Sequence, residues 1–239
     1  MVILMKKAII LGASSGIGRA LAKVLAADGY ALGLAARRLT LLVELQQEIG
    51  SQAWVKQIDV ADTRQAMAQF SELIREMGDV DLVVISAGTG FINPDLDWEK
   101  ENETIAVNVA GFTAISNVAT HYFLEKGAGH LVNISSIAAL RGSGSAPAYN
   151  ASKAFESVYL QGLRQKIAKL RLPITITDIQ PGFVDTPMAQ GDGLFWVASP
   201  EEAARQIYQA IRGKKKHAYV TKRWRLIAWL FKLAPGNRG

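Results

Sequence analysis

The sequence contains no cysteine, only three histidines and seven prolines, and no apolar run approaching the roughly 18 residues of a membrane-spanning helix. Each shortage excludes something. Without cysteine there are no disulfides, thiolate metal sites or cysteine nucleophiles, and the redox compartment stays open. His121, His130 and His217 lack metal-ligand spacing, so no metal site is expected, and none of the three fits a catalytic role. The N-terminus is apolar but broken by Lys6 and Lys7 and lacks a small-residue cleavage site, so it does not read as a signal peptide; a cytoplasmic chain is expected. Acidic residues are also missing from one end. Lys plus Arg number 27 against 21 for Asp plus Glu, a net charge of +6, yet ten of the basic residues and none of the acidic ones follow Glu202. Residues 1–202 therefore carry −4 and the remainder +10, which makes the basic excess a question about the tail's partner.

What is present describes an ordinary globular domain. The 239 residues are 49% hydrophobic and 20% charged, enough to bury a full core. Short apolar runs alternate with longer stretches of helical period, the pattern of βαβ units. The predicted fold is therefore α/β: a Rossmann-type, doubly wound parallel sheet of about seven strands flanked by helices. Strands are predicted near Ala8 to Leu11, Ala31 to Ala36, Ala53 to Ile58, Leu82 to Ser86, His130 to Ile134, Ile174 to Ile179 and Ala218 to Thr221. Pro173 precedes the sixth strand, where a missing N–H does no harm, and Ser199-Pro200-Glu201-Glu202 reads as a capping box with proline at N1. The expected organisation is one α/β domain over residues 1–221, in which the motifs described next all fall, and a basic amphipathic tail over 222–239.

The first predicted strand runs into Gly12-Ala13-Ser14-Ser15-Gly16-Ile17-Gly18 at the head of a helix. Glycines there permit a tight turn and close backbone approach, so a pyrophosphate can sit on the free N–H groups and positive dipole end of the helix. A glycine turn alone is also what a crowded strand-to-helix junction needs. The same residues match Gly-x-Ser-x-Gly, the nucleophile elbow of a serine hydrolase, but an elbow follows several strands and does not need Gly18.

About 20 residues past such a turn an NAD site places a carboxylate for the ribose hydroxyls; this chain has Arg37 and Arg38. Guanidinium groups match a 2′-phosphate, so NADP(H) is expected in preference to NAD(H). Asp59, with Val60, lies just past the third strand where the carboxylate can accept from an adenine amino group, while Asp62 is read as an N-cap.

Tyr149 and Lys153 stand four residues apart, on one face of a helix. An ammonium fixed beside a phenol favours the phenolate, which allows proton exchange with a carbonyl or alcohol near neutral pH. Ser136 closes the fifth strand, at the carboxyl edge where open α/β sheets form their sites, and its hydroxyl can hold a substrate oxygen.

The glycine turn, Asn108 in Val107-Asn108-Val109-Ala110-Gly111, Ser136, the Tyr149/Lys153 pair and Pro181-Gly182-Phe183-Val184-Asp185-Thr186 together resemble the short-chain dehydrogenase/reductase family, over residues 7 to 221. The resemblance implies a single-domain oxidoreductase with Tyr149 as general acid/base and Lys153 binding the nicotinamide ribose while lowering the tyrosine's pKa. It implies that Ser136 orients the carbonyl and that Asn108 anchors a water linking Lys153 to solvent. Pro181, Gly182, Val184 and Thr186 would line the nicotinamide. Ser86-Ala87-Gly88 occupies the place of the family's Asn-Ala-Gly, keeping the Ala87-Gly88 backbone that approaches the cofactor. A homodimer or homotetramer acting on a small carbonyl or alcohol follows from the same resemblance. A non-catalytic NADP-binding sensor or scaffold is the competing reading, and it does not require all four of Asn108, Ser136, Tyr149 and Lys153.

Phe91, Ala138, Leu140, Phe183, Met188, Phe195 and Trp196 are the candidates for facing substrate, an apolar set without convergent acids. Gly191-Asp192-Gly193 suggests mobility there, and Arg141 reads as an exposed loop arginine. In the tail, Ile227, Leu230, Phe231 and Ala234 would form one helical stripe flanked by cations. Such a helix packs on its own domain or a partner subunit, or lies peripherally on an anionic membrane surface. Nucleic acid is not expected, because no recognised nucleic-acid module accompanies the charge.

Overall fold

The computed structural model describes residues 5–50, 52–189 and 194–233. Seven strands form one sheet: β1 (Lys7–Leu11), β2 (Ala31–Ala36), β3 (Ala53–Gln57), β4 (Leu82–Ile85), β5 (Gly129–Ile134), β6 (Ile174–Pro181) and β7 (His217–Val220). Their order is β3-β2-β1-β4-β5-β6-β7 and every neighbouring pair is parallel. The expected doubly wound sheet is what the chain forms. β2 has its predicted ends, and the other strands shift by one or two residues, most at β6, which runs on to Pro181.

Helices cover both faces: α1 (Gly16–Ala27), α2 (Leu39–Ile49), α3 (Thr63–Met77), α4 (Trp98–Ile105), α5 (Phe112–Lys126), α6 (Pro147–Leu170), α7 (Pro200–Arg212) and α8 (Trp224–Leu233). Alternation in β1 divides the core. Ala8 and Ile10 join Leu21 and Leu25 of α1, Leu42 of α2 and Ile207 of α7 on one face. Ile9 and Leu11 join Phe70 of α3, Phe112 and Phe123 of α5 and Leu160 of α6 on the other. Strands covered on both sides need apolar residues throughout, which is why these read as apolar runs rather than alternating patterns. Full burial of each large side chain contributes about 1.5–3 kcal/mol. Asp62 and Ser199 do cap their helices, accepting from Gln65 N at 3.1 Å and Glu202 N at 3.1 Å.

The strand order reverses between β1 and β4, so their following loops diverge and leave a crevice at the carboxyl ends. The phosphate turn and the candidate catalytic residues both open into that edge.

The tail helix differs in phase from the sequence reading. Trp224, only 2% exposed, lies against Gly182, where an added Cβ would fall 1.9 Å from the indole. That anchor turns Ile227 and Ala228, three and four residues on, toward Ile137 and Leu140, while Leu230 is 51% exposed and Phe231 37%. The inward stripe is therefore Trp224, Ile227 and Ala228 in place of Ile227, Leu230 and Phe231; Ala234 lies outside the described residues, as do Gly191, Asp192 and Gly193.

Candidate active site

The glycine turn is built by close approach. Gly12 has φ of +86° and its missing Cβ would lie 2.5 Å from Ala87 N; that of Gly18 would lie 2.2 Å from Gly12 O. Only glycine fits either position. Gly16, at φ +53°, faces Thr186, whose Cγ2 is 3.0 Å from where a Cβ would be, so the segment after β6 covers the turn. Ser15 caps α1 in extended conformation without a side-chain bond to the helix, Ile17 packs against the core, and the first turn carries no acid. The helix thus presents free N–H groups and an uncompensated positive end, a cradle suited to a pyrophosphate.

Arg38 reaches this cradle. Its Nη2 donates to Ser15 Oγ at 2.7 Å and to Ser14 Oγ at 3.0 Å, placing a guanidinium beside the turn. Arg37 diverges from it, exposed and 3.9 Å from Glu103. The two arginines, expected to act together, are split by the chain direction at the end of β2. Ser14, the nucleophile of the hydrolase reading, is therefore partnered by an arginine. Asp59 is exposed past β3 and accepts from Ala61 N at 3.0 Å, and Val60 packs on Gly111.

Across the crevice, Pro147 at N1 starts α6 and puts Tyr149 in its first turn, with Lys153 one turn later. Lys153 Nζ lies 6.0 Å from the centroid of the Tyr149 ring. The loop after β4 packs on both: a Cβ on Gly90 would lie 2.4 Å from Tyr149 Cδ2, and one on Gly88 would lie 3.3 Å from Lys153 Nζ and 3.4 Å from Asn108 Oδ1. Asn108 sits in a π-helical segment, Ala106–Gly111, a distortion frequent at functional sites. Its amide clamps Thr89, accepting from Thr89 N at 2.9 Å and donating to Thr89 O at 2.7 Å, with a further bond to Ser152 Oγ at 3.0 Å. Ser136, at the end of β5, accepts from Ala138 N at 3.1 Å, which leaves its own hydroxyl proton uncommitted by that bond. Asn150 Nδ2 donates to Ala138 O at 3.2 Å and Arg141 O at 2.6 Å, fixing the turn after Ser136 to the helix that carries Tyr149.

The most consequential residue absent from the sequence reading is an acid. Glu156 is buried beneath Lys153, its oxygens 2.8 and 3.1 Å from Nζ, and it accepts from Asn133 Nδ2 at 2.8 Å. Burial pushes its carboxyl up to about 7 against the pull of the ammonium. Burial alone would lower Lys153, but Glu156 and then Tyr149 outweigh it and the net direction is up. Lys153 therefore stays an ammonium while Glu156 changes charge near neutrality. The available signal was an acid three residues past the lysine on the same helix face. The structural parts played by Gly90 and Thr89 (through ring and backbone contacts) and by Ser152 and Asn150 (through side-chain hydrogen bonds to distant residues) were missed too, since each depends on a partner far away in sequence.

The proposed substrate-facing residues fall into two groups. Phe183 packs edge-on to Phe195 at 5.8 Å and to Trp224 at 5.3 Å, and Trp196 meets Trp224 at 5.9 Å. Leu140 packs into the same cluster, whereas Met188 is exposed and Phe91 half-buried. His130 is distant from this chemistry: it is buried, with Nε2 2.8 Å from Thr177 Oγ1. Among the described residues, no group of three or more metal-ligating side chains converges.

Residues 6–194 match the family model described as short chain dehydrogenase. The chain belongs to the short-chain dehydrogenase/reductase family. This short-chain dehydrogenase/reductase is 36% identical over 188 residues to an uncharacterised oxidoreductase of Myxococcus xanthus, covering 77% of this chain and 74% of that one. An alcohol dehydrogenase of Thermococcus sibiricus, solved with 5-hydroxy-NADP, is 27% identical at a TM-score of 0.78, with 90% and 96% of the two chains covered. A Burkholderia phymatum member in complex with NAD shares the fold at a TM-score of 0.84 and 22% identity, covering 95% of this chain and 92% of that one. The short-chain dehydrogenase/reductase described here is an oxidoreductase acting on CH–OH and C=O groups.

Proposed function

We propose that this enzyme transfers a hydride between NADP(H) and an apolar carbonyl or alcohol substrate, with Tyr149 as general acid/base. The observation that carries the reading is the convergence of Tyr149, Lys153, Asn108 and the Gly88–Gly90 loop at the crevice that also holds the glycine cradle and Arg38. The cradle fits a dinucleotide, because the first turn of α1 carries neither a side-chain cap bond nor an acid, which leaves its N–H groups and positive end for a pyrophosphate. Arg38, with Ser14 and Ser15, supplies charged and hydroxyl donors for a 2′-phosphate, and Arg37 adds charge at longer range. Asp59 with Val60 would take the adenine end. Ala87, Gly88, Pro181, Gly182, Val184 and Thr186 would line the nicotinamide end.

When bound, the nicotinamide cofactor supplies or accepts the hydride. In the reducing direction Tyr149 gives its phenolic proton to the carbonyl oxygen as an alcohol forms, and Ser136 donates to that oxygen and fixes its position. Lys153 keeps a positive charge beside the ring while the proton moves and binds the nicotinamide ribose. Asn108 holds the loop that contacts both residues. The aromatic cluster around Phe183, Phe195 and Trp196 favours an apolar substrate over a sugar or small acid. A homodimer or homotetramer in the cytoplasm is the working assembly, supported by the exposed Ile105, Phe155 and Val158 on α4 and α6.

Following nicotinamide absorbance with NADPH and NADH over paired apolar ketones, quinones, sugars and 2-oxo acids tests the proposal. Faster oxidation of NADPH with the apolar carbonyls is the expected result; turnover confined to the acids, or to NADH, would refute the substrate or cofactor assignment.

A further inference from the structure

The tail helix has two apolar faces, and the protein uses only one. Trp224, Ile227 and Ala228 pack inward on Ile137 and Leu140, the turn that follows Ser136. On the opposite face Leu226 is 64% exposed, Trp229 60% and Leu230 51%. These three are spaced i, i+3, i+4, so they form a continuous ridge along the helix. Their exposure extends to Phe195 and Trp196, which touch Trp224 at ring distances of 5.1 and 5.9 Å and are themselves partly open to solvent.

Cations edge this ridge. Lys222, Arg223 and Arg225 are exposed, and Arg223 lies over the Trp196 ring at 5.7 Å while donating to Trp196 O. No acid follows Glu202 in the sequence. The nearest preceding acids are Glu201 and Glu202, and Glu202 is engaged by Gln206 Nε2 at 3.2 Å. An aromatic and aliphatic ridge bordered by positive charge is the composition of an interfacial helix that lies in the headgroup plane. No helix among the described residues is long and apolar enough to cross a membrane, so contact would be in-plane.

We propose that the outer face of α8, continued by Phe195 and Trp196, docks this enzyme on an anionic membrane surface. Charge decides against a second copy of the chain as the occupant. A two-fold interface sets the same patch on itself, so the cationic rim of Lys222, Arg223 and Arg225 would be brought onto like charge. Anionic lipid supplies the missing counter-charge, while its acyl region takes the Leu226, Trp229 and Leu230 side chains. Because the inner face of α8 packs on the turn after Ser136, docking brings the candidate site close to the lipid; that an apolar carbonyl compound enters from the bilayer rests on the function proposed above, whereas the docking itself does not.

The test is co-sedimentation of the full chain with vesicles of phosphatidylcholine alone or with phosphatidylglycerol added, at low and high salt. Wild type should pellet at least tenfold more strongly with the anionic vesicles, less so at high salt. Trp229→Glu with Leu230→Glu should abolish pelleting while leaving the thermal unfolding midpoint and turnover of a water-soluble carbonyl compound unchanged; Val43→Glu, an exposed apolar position on α2, should pellet like wild type. Wild type remaining in the supernatant with both vesicle types would overturn the proposal. So would a double variant that pellets normally, or one that changes the oligomeric mass by light scattering, which would give the face to a second copy.

Discussion

Lys153 and Glu156 form a buried bidentate pair, with Nζ 2.8 and 3.1 Å from the two carboxylate oxygens and 3.3 Å from Ile134 O. These contacts hold the ammonium in place, and its positive charge is balanced whenever Glu156 is ionised. Asp178, also buried and bonded by Ser135 and Ser157, adds further negative potential from β6. The tyrosine beside this pair feels a weaker net positive field than a lone ammonium would produce.

Replacing Glu156 with glutamine should leave Lys153 uncompensated. The rising limb of the pH–rate profile for alcohol oxidation is expected to move to lower pH by roughly one unit, the size of a screened charge interaction at this range. The shift should be read above pH 7, where Glu156 in the wild type is ionised, since its carboxyl titrates at about 7. An unmoved profile would mean that Glu156 only fills space.

Arg38→Ala should weaken NADPH binding by about 10- to 100-fold, as a charge-assisted hydrogen bond is worth about 1.5–3 kcal/mol, and leave NADH binding nearly unchanged. Arg37→Ala should cost less, because Arg37 points toward Glu103 rather than the turn. Titration of each variant with both cofactors by intrinsic fluorescence checks the asymmetry.

Gly90→Ala places a methyl group 2.4 Å from Tyr149 Cδ2, so the ring has to move. A displacement of about 1 Å at a reacting group costs on the order of 100-fold in rate. The expected outcome is a fall in kcat of that size with a nearly unchanged thermal midpoint, and kcat at the wild-type value would show that the loop yields instead.

His130 governs a different pH window. Burial, aided by Lys214, pushes it down from 6.5 to about 4, so it folds as neutral imidazole. Thr177 Oγ1 donates to Lys215 O and can accept from His130 Nε2, which selects the tautomer. Because the unfolded chain takes up this proton first, its contribution is fully present above about pH 6.5 and is lost as pH falls through about 4, amounting to roughly 3 kcal/mol. Thermal melts between pH 7 and 4 should slope less steeply in His130→Gln than in wild type.

The sheet and the phosphate turn were legible because each depends on local pattern: apolar runs for strands covered on both faces, glycines where the backbone touches itself. That Lys153 and Tyr149 are neighbours was legible by helical spacing, while the roles expected of them came from the set of motifs in order. Glu156 was not, because an acid three residues beyond a lysine looks like a surface pair until burial is known. The divergence of Arg37 and Arg38 depends on which way β2 releases the chain, which their adjacency in sequence does not encode. The phase of α8 failed for a related reason: eight of the ten residues of that helix are apolar or aromatic and circle it, and only the contact of Trp224 with Gly182 decides which face turns inward.

The central claim is that Tyr149 transfers the proton. Tyr149→Phe removes one oxygen and leaves the ring against Gly90, so steady-state turnover with the best carbonyl substrate, measured alongside NADPH affinity, tests it directly. The account predicts a fall in kcat of about 100- to 10,000-fold with cofactor affinity within about twofold of wild type. Unchanged turnover in the phenylalanine variant would contradict it.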